Sequence, residues 1–196
     1  MTGQTTVTQR NGRAGGVALA ALGAGAAVAV ALGVYGTTHQ PTGKAIWTFG
    51  FGSMIAMKVW LGVIVGVLAL GQLVSALWIY GKLGRPAPRA VSLVHRFSGG
   101  AAVLVSLPVA YTCLWSLGFQ TYDARVLAHS LFGCIFYGAF VTKVVTLHTK
   151  SSPGWLLPLA GGTLLTALVV VVLASSGWYF TTVGIPVGIP AGAGGY

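Results

Sequence analysis

Apolar runs of about 20 residues recur along this chain, each the length a helix needs to cross roughly 30 Å of hydrocarbon. Between them stand short stretches such as TTHQPTGKAIW, IYGKLGRPAPRA and SSPGW, whose Pro, Gly and basic residues read as loops. Only 6% of the residues are charged, against roughly 25% in a soluble domain. In lipid every backbone polar group needs an internal partner, and a helix supplies all of them within one segment. The chain is therefore read as an all-α, polytopic membrane protein whose five transmembrane helices form a helix bundle.

The spans are placed at about 16–36, 50–80, 92–117, 126–148 and 155–180. Basic residues before the first run raise a cleaved signal peptide as an alternative. The run is long for one, and its GAGAAVAVALG interior suits close helix packing, so a retained span is expected. Residues 1–15 are polar and Gly/Thr-rich and are expected to be a disordered cytoplasmic tail. The membrane domain covers 16–180. Residues 181–196 repeat VGIP and end in glycines, an expected irregular outer tail.

The formal net charge is +10, from eleven Lys and Arg against one acid, Asp123. The bases sit mostly between apolar runs, so they are read as topology signals rather than as a nucleic-acid surface. Arg10, Arg13, Lys82, Arg85, Arg89 and Lys150 fall on one side and only Lys44 and Arg125 on the other. By the positive-inside rule the N-terminus is expected to be cytoplasmic and the C-terminus outside, in the cell (inner) membrane. Trp47, Trp78, Trp115, Trp155 and Trp178 fall near span ends, as an interfacial belt should. With one carboxylate, Asp/Glu hydrolysis and acidic proton relays are excluded. No nucleophile–base constellation, phosphate loop or zinc motif stands out, so no catalytic residue is assigned. The two cysteines, Cys113 and Cys134, make no ligand-spaced cluster and are read as buried free thiols.

The histidines carry the functional argument. HRFSG (95–99) and HSLFG (129–133) share a spacing that puts Gly99 and Gly133 one turn after His95 and His129 on the same helix face. A small residue beside an imidazole leaves clearance for a flat group such as a porphyrin. His95 and His148 fall at the same depth on consecutive helices and form the expected inner bis-histidine pair. His129 lies at the opposite face, roughly 28 Å from His148 along its helix. His39, from the loop, and Cys113, five turns after His95, are its alternative partners. Arg96 and Lys143 are candidates to hold haem propionates. Lys58, about eight residues into the second span, is the hardest cation to dismiss, because intramembrane charge is costly and usually functional.

The segments HRFSGGAAVLVSLPVAYTCLW and LAHSLFGCIFYGAFVTKVVTLH resemble a family of small bacterial integral membrane proteins linked with b-type cytochrome and ferric-reductase-like helix bundles. The likeness covers about residues 45–180. It implies haem ligation by His95, His129 and His148, and a membrane-bound iron–sulfur or cytochrome partner. It also implies a further histidine near Thr112–Cys113, which this chain lacks. The resulting expectation is a membrane-embedded electron-transfer protein with one haem b, or two, exchanging electrons with a quinone. The rival expectations are a cofactor-free accessory subunit of a larger membrane complex and a small transporter with Lys58 lining an anion path.

Overall fold

The computed structural model describes residues 3–149 and 151–186, with side chains from Ala14 onward. Five helices long and apolar enough to cross a membrane cover Ala14–Thr38, Met54–Ile79, Arg89–Leu117, Ala124–His148 and Leu156–Thr182. No strand occurs among the described residues. In chain order, α1 is Gly3–Thr38, α2 Met54–Ile79, α3 Arg89–Thr112, α4 Ala124–His148, α5 Leu156–Val172 and α6 Trp178–Thr182. Two wide π turns interrupt this pattern: Cys113–Leu117 prolongs α3, and Leu173–Gly177 joins α5 to α6.

Two expected boundaries shift. Helical backbone begins at Gly3, so α1 runs back through the segment read as a disordered tail. At the other end helix persists to Thr182, two residues into the segment read as irregular. Lys150 and most of the VGIP-repeat tail lie outside the described residues.

Local chemistry fixes the helix starts. Ser53 Oγ accepts from the Ala56 amide at 3.1 Å, and Asp123 Oδ1 accepts from Val126 at 2.7 Å. Each satisfies one of the orphan donors of a first turn. The chain's single acid is thus a helix cap. It also pairs with Arg125 at 3.7 Å.

The helices pack in the order α1–α4–α5–α2–α3, and α3 and α4 face each other with little direct packing. The α1–α4 seam is built from small residues. A methyl group added at Gly138 would stand 2.6 Å from the Gly25 carbonyl oxygen, so the two backbones touch there. Thr142 Oγ1 donates across the seam to the Ala21 carbonyl at 3.2 Å and to its own Gly138 carbonyl at 3.1 Å. Small residues and bridging hydroxyls of this kind supply the close packing that lipid, as apolar as leucine, does not drive. At mid-depth Val65, Ala69, Val103, Phe136, Ala167 and Leu168 fill the centre of α2–α5.

The open edge is closed only at one end. The Phe119 amide donates to the Gly36 carbonyl at 2.7 Å, Gly43 to Ser116 at 2.9 Å, and Ser116 Oγ to the Lys44 carbonyl at 2.8 Å. These bonds tie the end of α3 to the end of α1 and the loop after it. We expect Gly138→Ala to destabilise the detergent-solubilised protein by about 1–3 kcal/mol through backbone overpacking. Gly33→Ala, where nothing lies within 4 Å, should leave the thermal midpoint unchanged or slightly higher.

Candidate functional site

Between α3 and α4, toward the tied end, lies a cavity of about 630 Å³. That volume is within the usual range for small-molecule and cofactor sites, about 300–1,000 Å³. Val65, Phe136 and Leu168 belong both to its lining and to the mid-depth core, so the core forms its floor. Both π turns border it: Cys113, Leu114 and Leu117 from one, Ala174 and Ser175 from the other. Irregular backbone at membrane depth is tolerated where it lines a cavity, and single π turns often mark functional sites. Nothing in the apolar pattern announced them. Pro108, which removes one rung of the α3 ladder just before the first, is the nearest sequence signal.

His129 and Cys113 meet in this cavity. The Cys113 sulfur is 3.8 Å from His129 Nε2, joining the end of α3 to the second turn of α4. The opposite ring nitrogen, Nδ1, is enclosed and has no hydrogen-bond partner. Of the two alternatives for the outer partner, the structure brings Cys113 to His129. His39 instead stacks between Tyr35, at 5.1 Å, and Trp115, at 4.4 Å, and is absent from the cavity wall.

Lys58 also lines the cavity, on the same wall surface as Cys113 and His129. Because α2 begins at Met54, Lys58 stands in the second turn. It is therefore closer to the start of the span than the expected beginning at residue 50 implied. Arg125 is already committed. It donates to the Ala174 carbonyl at 2.8 Å and lies 3.9 Å over the Trp178 ring, binding α4 to the π turn of the last span.

The two HxxxG motifs separate in the folded chain. Beside Gly133 nothing lies within 4 Å of an added methyl, and the glycine opens onto the cavity. Beside Gly99 the same methyl would stand 2.9 Å from Gln72 Oε1. The carboxamide of Gln72 fills that clearance and donates to the His95 carbonyl and to Ser98 Oγ, each at 2.6 Å. The space expected beside His95 for a flat group thus belongs to a side chain of α2.

His95 is half-buried, with Nδ1 2.8 Å from Ser75 Oγ. Ser75 sends its only proton to the Gly71 carbonyl at 2.6 Å. With the Ser75 proton on that carbonyl, Nδ1 is the donor in this contact and Nε2 carries the lone pair. His148 is exposed, and its Nδ1 donates to the Val144 carbonyl at 2.9 Å, which again frees Nε2. Metal-binding histidines usually have their second nitrogen held this way. No hydrogen bond or ring contact joins His95 to His148. Lys143 is half-buried, whereas Arg96 is exposed. Among the described residues no group of three or more His, Cys, Asp or Glu could hold a metal ion.

A hydroxyl contact bridges α3 and α4 within the cavity lining: Ser106 Oγ and Tyr137 Oη are 2.8 Å apart. A family model covering residues 17–187 matches the chain, described as a family of unknown function, DUF6529. The chain belongs to DUF6529. Because that family has no assigned function, the match supplies no link to b-type cytochromes or ferric reductases. No curated protein and no solved structure matches. For this DUF6529 chain, Tyr137→Phe should cost about 0.5–1.5 kcal/mol in unfolding measurements. Ser106 keeps its bond to the Val103 carbonyl at 2.7 Å, so no orphaned hydroxyl adds to that cost.

Proposed function

We propose that this chain is a membrane-embedded haem-b electron-transfer protein whose cofactor chamber is the cavity between α3 and α4. The observation that carries the reading is the meeting of His129 and Cys113 from opposite walls of an apolar cavity of about 630 Å³. When bound, the haem iron supplies one-electron transfer. His129 would hold the iron by Nε2, and Gly133 leaves room for the macrocycle one turn on. Lys58 supplies positive charge for the propionates in a chain with one acid, itself occupied as a cap. Phe136, Tyr137 and Leu168 keep the inner wall apolar and exclude water.

The inner histidines support a second, weaker site. Both have Nδ1 committed and Nε2 free, on helices that do not pack closely on each other. In this reading Lys143 sits near enough to serve a propionate there. The protein would exchange electrons with a quinone and with a membrane-bound iron–sulfur or cytochrome partner. Its N-terminus would be cytoplasmic, because the loop after α2 carries Lys82, Arg85 and Arg89.

The test is the absorption spectrum of detergent-purified protein from haem-replete cells, oxidised and then reduced with dithionite. Sharp alpha and beta bands on reduction are expected, and a colourless protein sinks the reading in favour of an accessory subunit. His129→Ala should remove the outer haem signal, while His95→Ala and His148→Ala retain it. Lys58→Met should weaken haem retention by about 10-fold or more, the usual scale for a supporting contact.

A further inference from the structure

The donor opposite His129 is open in the reading above, and the structure assigns it: we propose that Cys113 is the second iron ligand, giving the outer site a mixed thiolate–imidazole pair. This rests on the haem reading and adds the identity of one ligand to it.

The alternatives fail on geometry. His39 is held between two aromatic rings away from the cavity. Thr112 is buried, donates its hydroxyl to the Pro108 carbonyl at 2.8 Å and is not part of the cavity wall. Cys134 does line the cavity, but no imidazole is bonded to it. Cys113 alone combines a position on the wall opposite α4 with a sulfur directed at His129. A metal held in line between a thiolate and an imidazole needs about 4.3 Å between the donor atoms. The observed 3.8 Å is short of that by about half an ångström. A rotation of the Cys113 side chain about its Cα–Cβ bond supplies that difference while the end of α3 stays tied to α1 and its loop.

The local backbone explains why residue 113 takes this place. Cys113 keeps αR backbone and still donates its amide to the Val109 carbonyl, so it holds the helical register five turns after His95, and the π turn widens the helix only beyond it. A coordinating thiol gives up its proton on binding. Lys58, on the same cavity wall, supplies positive charge toward the resulting negative sulfur.

The experiment compares ferric electron paramagnetic resonance spectra and midpoint potentials of the wild-type protein with Cys113→Ala, Cys113→His and Cys134→Ala. The wild type should show the narrow low-spin g-spread of thiolate ligation. Cys113→Ala should lose it, either as a high-spin signal or as haem loss. Cys113→His should keep haem, with the wider bis-imidazole spread and a raised potential, and Cys134→Ala should match wild type. A second readout needs no variant. A membrane-permeant maleimide should modify Cys113, located by peptide mass, only after haem is extracted. Haem-bearing protein with a bis-imidazole spectrum, or Cys113 alkylated at equal rates with and without haem, overturns the assignment and leaves the haem reading standing. A colourless wild type overturns both.

Discussion

The cavity exists because the C-terminal end of α3 is held by hydrogen bonds to α1 and to the loop after it, rather than by side-chain packing against α4. Gly36, Ser116, Phe119 and the Lys44 carbonyl make that tie. In hydrocarbon an unpaired amide or carbonyl is expensive, so a helix can leave α geometry only where other groups satisfy its backbone. The π turn at Cys113–Leu117 meets this condition: Trp115 and Ser116 carbonyls accept from Thr42 and Gly43. The opposite π turn does so as well, with Arg125 taking the Ala174 carbonyl. Two wide turns at one end of the bundle, each stitched to a neighbour, hold open a space that uninterrupted helices would have filled.

Charge follows the same economy. A chain with eleven bases and one acid cannot neutralise buried cations by ordinary ion pairs. Arg125 instead draws on the lone acid, a backbone carbonyl and an indole face. Among the described residues Lys58 has no such set. It lies on the cavity wall with Cys113 and His129.

The paired HxxxG motifs show where spacing alone stops being informative. In both, glycine leaves space above an imidazole. At Gly133 that space joins the cavity; at Gly99 it is filled by Gln72. Helical periodicity places His and Gly on one face, but it does not say which neighbour that face meets. His95 turns to α2 and becomes tied to Ser75, while His129 turns to the end of α3.

The five helices, their limits to within a few residues and the membrane class were legible in the sequence. Hydrocarbon thickness and backbone satisfaction admit almost no other fold for such apolar runs. The roles of individual polar residues were only partly legible. His129 and Cys113 could be named as candidates, and Lys58 could be singled out as costly, from residue type and depth alone. Their meeting could not be read, because it depends on helix neighbours. Those neighbours were set by the Gly25–Gly138 contact and by the bonds that tie the end of α3 to α1 and the loop after it. Sequence by itself determined that the chain crosses the bilayer as helices. Tertiary structure decided which two of them stand apart, because that depends on where backbones can touch and where one must widen.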